Sequence, residues 1–214
     1  MAKNICATHK KLGFAALTAA AVLGWLAFSP AAEAATVGEA APAFTGTTAD
    51  GKTVSLSDFA GKVVVLEWHN KGCPFVVKHY ESGNMQALQK ELTGKDVVWL
   101  TINSSAEGEQ GYETGADALK TAADQKAAAT QIIIDASGEI GKAYDAKTTP
   151  HMFVIDKDGK LAYAGAIDDR ASFKQEDIAG AKNYVREAVA ALAEGKPVEV
   201  SSTKPYGCSV KYKN

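Results

Sequence analysis

The stretch Trp68-His69-Asn70-Lys71-Gly72-Cys73-Pro74-Phe75-Val76 decides how this chain is read. It follows Val63-Val64-Val65-Leu66-Glu67, an apolar run of strand length. Gly72 ends the run. Pro74 suits the first turn of a helix, where its missing N–H has no partner to lose. Cys73 therefore stands at a strand-to-helix junction, beside free backbone N–H groups and the positive end of a helix dipole. That setting favours the thiolate, which is the reactive form of cysteine. Lys71 and His69 add positive charge nearby. The alternative is a cysteine buried only as a small apolar residue.

Outward from this point, the ends of the chain set the compartment. Residues 1–34 have the plan of a secretory signal peptide. Lys3, Lys10 and Lys11 form a basic start, Leu12 to Phe28 an apolar stretch, and Ala32-Glu33-Ala34 a cleavage site before Ala35. The apolar stretch is short for a membrane span of ~20 residues. Cleavage leaves nothing that spans a membrane and sends the protein to a secreted or periplasmic location. Without three Lys and one Glu of that segment, 20 basic residues face 24 acidic ones, a net charge of −4. A mildly acidic chain excludes nucleic acid as a partner. Cys73 and Cys208 are the cysteines outside the signal segment, and an oxidising compartment lets them form one disulfide. No CxxC, zinc-spaced Cys/His set or phosphate-cradling glycine loop is present, so no metal or cofactor is expected.

About 180 residues then make one domain, divided into a core over 35–200 and a tail over 201–214 that carries Cys208. Asp50-Gly51 between short β-prone runs predicts a hairpin, and Ser57–Gly61 a helical turn. A helix starts at Pro74, with a break at Ser82-Gly83-Asn84, and Met85, Leu88 and Leu92 form a core-facing stripe. Val97 to Ile102 reads as a second buried strand. Ser104 to Gly115 reads as a surface loop, and Thr114 with Asp117 has the spacing of a capping box. Ile132–Ile134 is a short strand, and Gly138–Tyr144 a short helix. Thr148 to Ile155 is a strand entered through Pro150, and Leu161–Ala166 returns antiparallel after the Asp156–Gly159 turn. A last helix has Ile178, Ala181, Val185, Ala188, Val189 and Leu192 on one face, and Gly195 stops it. The alternation of strands and helices predicts an α/β fold with a mixed sheet covered on both faces.

A strand, a Cys-Pro that opens a helix, and a Thr-Pro before a hairpin together resemble the thioredoxin-fold superfamily. Gly138–Tyr144, Thr149-Pro150 and the Phe153–Gly159 hairpin resemble its peroxiredoxin-like branch, the redoxins of AhpC/TSA type. The resemblance implies a thioredoxin-like fold, with a central mixed β-sheet flanked by helices and an N-terminal β-hairpin extension. It also implies a cis Thr149-Pro150 bond and a Thr149 that faces Cys73. The departures are specific. Val76 stands where thioredoxins have their second cysteine. Asn70 and Leu66 stand where peroxiredoxins have Thr and Pro. The only arginines, Arg170 and Arg186, are remote in sequence.

Three functions compete. The first is an exported thiol oxidoreductase that acts through Cys73, with Cys208 resolving and His69, Asn70, Pro74, Thr149 and Pro150 framing the site. Its partner is a peroxide or a protein thiol or disulfide, together with a thiol reductant that the sequence does not name. The second is a binding module stapled by a structural Cys73–Cys208 disulfide. The third is a copper site built from Cys73 with His69, His79 or His151, although pairing of His69 with the thiolate suits these residues better than ligation. Two smaller readings complete the set. Glu67, inside an apolar strand, either relays protons near the thiol or lies at a sheet edge or beside a lysine. Asp168-Asp169-Arg170 is a solvated loop or part of a docking face.

Overall fold

The computed structural model describes Met1 and residues 35–213, so the signal-peptide reading falls outside the described residues. Thr45–Thr48 (β1) and Thr53–Ser55 (β2) form the expected hairpin. A 3₁₀ turn over Leu56–Phe59 follows. Val64–Trp68 (β3) leads into Pro74–Glu81 (α1), and Gly83 in a left-handed conformation separates it from Asn84–Thr93 (α2). Val98–Asn103 (β4), Gly115–Asp124 (α3), Gln131–Ile134 (β5) and Glu139–Ala143 (α4) continue the alternation. Thr148–Thr149 (β6), His151–Ile155 (β7) and Leu161–Gly165 (β8) come next. Tyr184–Ala193 (α5) and Cys208–Ser209 (β9) complete the elements.

Seven strands form one mixed sheet in the order β2-β1-β5-β4-β3-β7-β8, and β6 pairs with β9 apart from it. β3 lies parallel to β4 and antiparallel to β7, so its end is held on both sides. Alternation along β3 divides the core. Val64, Leu66 and Trp68 face a cluster with Leu100, Ile102, Tyr144 and Phe153. Val65 faces the opposite cluster, made with Val76, Tyr80, Met85, Leu88, Leu92 and Val185 of the three helices α1, α2 and α5. The apolar stripe of α2 thus pins the helical layer that carries Cys73.

Two expectations are corrected. The last helix starts at Tyr184, capped by Asn183, whose side chain accepts from Arg186 N at 2.8 Å. Ile178 ends a separate 3₁₀ turn over Gln175–Ile178, and Gly180, at φ 83°, breaks the helical path between the two. The stretch after β4 is not wholly a surface loop. Ser104, Ser105, Ala106 and Glu113 are buried, because Ser104 bridges Trp68 Nε1 at 3.0 Å and an Asp135 carboxylate oxygen at 2.6 Å.

Leu88 is fully buried between α2 and the sheet. Leu88→Ala is expected to cost about 2–5 kcal/mol by cavity formation. Urea unfolding, read as a lower midpoint at unchanged slope, checks this.

Candidate active site

The end of β3 and the start of α1 are joined by a turn that Asn70 holds. Its carbonyl accepts from Cys73 N at 3.0 Å, and its side-chain oxygen accepts from Gly72 N at 2.9 Å. Its amide donates to the Gln110 backbone and side-chain oxygens at 3.1 and 3.0 Å. Cys73 is the N-cap residue of α1, and Pro74 occupies the first turn. The junction read from the sequence is therefore present, with Asn70 as its buried brace.

Cys73 has no exposed surface. Its thiol donates to the Thr149 carbonyl at 2.9 Å, and the Thr149-Pro150 bond is cis, as the resemblance implies. Thr149 pairs antiparallel with Cys208, and Thr148 with Ser209. The tail thus covers the backbone edge beside the cis-proline, an edge that an extended substrate would otherwise have open to it. Both cysteines are free thiols. Burial pushes the Cys73 pKa up, but hydrogen bonding from the Cys208 thiol, from Thr149 and from the N–H groups of Cys208 and Val76 outweighs it, and the pKa falls below the ordinary thiol value. The buried Thr149 hydroxyl has no other hydrogen-bond partner and lies within reach of the Cys73 sulfur. Burial and the neighbouring Cys73 sulfur push Cys208 the other way, up to about 11. The two cysteines therefore differ in kind, one poised to ionise and one held as a donor.

The positive charges expected around the sulfur lie elsewhere. Lys71 pairs with Glu113 at 3.1 Å. Burial lowers the pKa of His69, which keeps the ring neutral. That ring packs edge-on against Tyr80 and lines a cavity of about 20 Å³ with Thr101, Asn103, Glu113 and Gln125. His79 is lowered to about 3, by burial and by Lys78, and His151 to about 4, chiefly by burial. Among the described residues no three His, Cys, Asp or Glu side chains converge as metal ligands.

Two buried polar groups went unread or half-read in the sequence. Glu67 sits on a central strand, neither at a sheet edge nor beside a lysine. Tyr80, Gln89, Trp99 and Thr101 donate to its carboxyl oxygens at 2.9, 3.1, 2.8 and 3.2 Å. This satisfies a buried carboxyl that would otherwise be costly. Asp168 is not in a solvated loop but is buried, 3.8 Å from the buried Lys78 ammonium. It accepts from Tyr206 Oη of the tail. Tyr206 also lies 3.4 Å from His79 Nε2, 5.7 Å from the Phe75 ring and 5.8 Å from Lys78 Nζ. The sequence reads Asp168 as part of a solvated loop or docking face, because nothing local shows that Lys78 and Tyr206 close over it.

The AhpC/TSA family model matches residues 37–164. The chain belongs to the AhpC/TSA family. It is 33% identical over 125 residues to the thiol-disulfide oxidoreductase ResA of Bacillus thuringiensis, a match that covers 58% of this chain and 66% of that protein. An uncharacterized conserved protein from Geobacillus kaustophilus is 30% identical at a TM-score of 0.71, over 83% of this chain and 93% of that one. A hypothetical protein from Sinorhizobium meliloti shares the fold at a TM-score of 0.71 and 24% identity, over 85% of this chain and 97% of that one. The AhpC/TSA assignment and these neighbours agree with the observed thioredoxin-like architecture, a central mixed sheet flanked by helices.

Alkylation of Cys73 needs its thiolate, whose fraction rises with pH. A lowered pKa therefore moves the rate midpoint below the ~8.5 of a free thiol. Cys208→Ala is expected to move it back up by removing one sulfur-directed donor. Iodoacetamide labelling of Cys73 against pH, located by peptide mass, checks both.

Proposed function

We propose that this chain is an exported thiol-disulfide oxidoreductase in which Cys73 attacks and Cys208 resolves. The observation that carries the reading is the pairing of Thr149 with Cys208, which sets a second thiol against the Cys73 sulfur. The Cys73 thiolate attacks one sulfur of a substrate disulfide, and the other leaves as a thiolate that takes up a proton. The Cys208 thiol loses its proton and attacks Cys73 Sγ. This forms the Cys73–Cys208 disulfide and releases the second substrate thiol. An external thiol reductant then restores both cysteines. Asn70 and Pro74 shape the turn that presents the sulfur. Thr149 and Pro150 hold the facing edge. His69 packs as a neutral ring against Tyr80 and supplies no charge to the thiolate. Cys208 does from the tail what a CxxC cysteine would do from position 76, where Val76 is buried.

The relative's name, thiol-disulfide oxidoreductase, supports exchange. A peroxidase reading draws less support. Leu66 and Asn70 replace the peroxiredoxin Pro and Thr, Arg186 pairs with Glu91 at 2.8 Å, and Arg170 lies 3.5 Å from Asp169. The signal-peptide plan of residues 1–34 supports export, and among the described residues no helix is long and apolar enough to cross a membrane.

Cys73→Ser is expected to abolish reduction of a disulfide substrate. Cys208→Ser is expected to stop after one attack and accumulate a substrate–Cys73 mixed disulfide. Nonreducing mass spectrometry of both variants after mixing with a disulfide peptide tests this. Full turnover by Cys73→Ser would sink the proposal.

A further inference from the structure

The Cys73 sulfur is enclosed by the Thr149 carbonyl, the start of α1 and the Cys208 segment. Thr149 is joined through Pro150 to β7 of the seven-stranded sheet, and Cys73 starts the helix that covers that sheet. The third is a two-residue strand that pairs with β6 outside the seven-stranded sheet, so its displacement would break the β6–β9 pairing and leave the larger sheet whole. An incoming sulfur therefore has one approach, the place where Cys208 now stands, on a strand paired with Thr148–Thr149.

Tyr206 precedes the strand, and Gly207 bends the chain between it and Cys208. Cys208 faces Cys73, and Tyr206 enters a socket. The socket holds a buried carboxylate for the phenol proton (Asp168), a ring nitrogen (His79 Nε2), an aromatic wall (Phe75) and a cation beside the ring (Lys78). Asn84 donates to His79 Nδ1 at 2.8 Å, which leaves the proton of a neutral His79 on Nε2, directed at the Tyr206 oxygen. Between them Gly207 passes so close that a Cβ would meet the Thr149 oxygen at 2.0 Å, with φ at 140°. Each of the three tail positions thus meets its own constraint, for a phenol, for no side chain and for a sulfur.

We infer that Tyr206-Gly207-Cys208 is an internal copy of the substrate, and that Cys73 accepts polypeptide disulfides whose cysteine follows a tyrosine and a glycine in the same order. This rests on the thiol-exchange reading of Cys73 and adds to it a substrate class and a competitor, since tail and substrate cannot occupy the edge together. A socket built to hydrogen-bond a hydroxyl discriminates strongly against an analogue without one, because its buried acceptor loses that donor. Phenylalanine fills the apolar part of the socket but takes the phenol proton from Asp168, which keeps Arg170 N at 2.9 Å and the Lys78 ammonium at 3.8 Å, and alanine supplies neither the ring nor the hydroxyl.

The test uses the full chain with Cys208→Ser and a peptide copying Lys204 to Lys211, its cysteine activated as a mixed disulfide with 2-thiopyridine. Cys73 thiolate attacks the peptide sulfur, a Cys73–peptide disulfide forms, and thiopyridone leaves and is followed by absorbance. The peptide with tyrosine is expected to react about tenfold faster than its Tyr206→Phe version, and faster still than Tyr206→Ala. Adding Tyr206→Ala to the protein empties the socket and is expected to raise the rate of the tyrosine peptide further. Equal rates for the three peptides, with Cys73 reacting readily, overturn the inference and leave the oxidoreductase reading standing. If neither the peptides nor dipyridyl disulfide modifies Cys73, both readings fall.

Discussion

Antiparallel pairing of Thr149 with Cys208 is the constraint on which the site depends. It brings a sulfur from the tail to a sulfur at a helix start, and it does so through backbone. Every further hold on the tail serves that register. Val210 N donates to Lys147 O at 3.0 Å, Ala106 N to Lys211 O at 2.8 Å, and Tyr212 Oη to Ala146 O at 2.8 Å. Thr203 accepts from Ala166 N at 2.9 Å. The tail is therefore built into the domain along its length, and the division at residue 200 marks a change of role more than a boundary of packing.

The two cysteines obtain opposite characters from one contact. A hydrogen bond shared between two thiols favours ionisation of the acceptor and disfavours that of the donor. The helix start decides which is which, because its N–H groups point at Cys73 and not at Cys208. The attacking and resolving roles proposed for them follow from that asymmetry without a charged neighbour. His69 and Lys71 are spent elsewhere, one neutral against Tyr80 and the other on Glu113.

What could be read from residues alone was what local pattern determines. The Val63–Leu66 run, the Gly72–Pro74 junction, the Asp50-Gly51 hairpin and the break at Gly83 each carry their cause within a few positions. The resemblance supplied the cis bond at Pro150 and the facing of Thr149. What was misread depends on distant partners. Asp168 looks solvated until Lys78 and Tyr206 close over it. The turn after Asn103 looks like surface until Trp68 and Asp135 draw Ser104 inward. Ile178 and Ala181 keep a helical period, yet Gly180 between them ends the helix, a case of backbone freedom overriding side-chain spacing. Glu67 was ambiguous because its four donors come from α1, α2 and β4, and none of them neighbours it in the chain.

The loop between Cys73 and Cys208 runs through most of the described chain, so the proposed bond between them would have a second meaning. Cross-linking so long a loop removes on the order of 4–5 kcal/mol of unfolded-chain entropy in the simplest model. A Cys73–Cys208 disulfide would therefore fasten the whole domain as well as end the proposed turnover, and its reduction would loosen the domain. By thermodynamic linkage the reverse also holds, since whatever tightens the fold also favours the oxidised pair. Heat, denaturant or a bound partner would then shift the midpoint potential of these two sulfurs without touching either one.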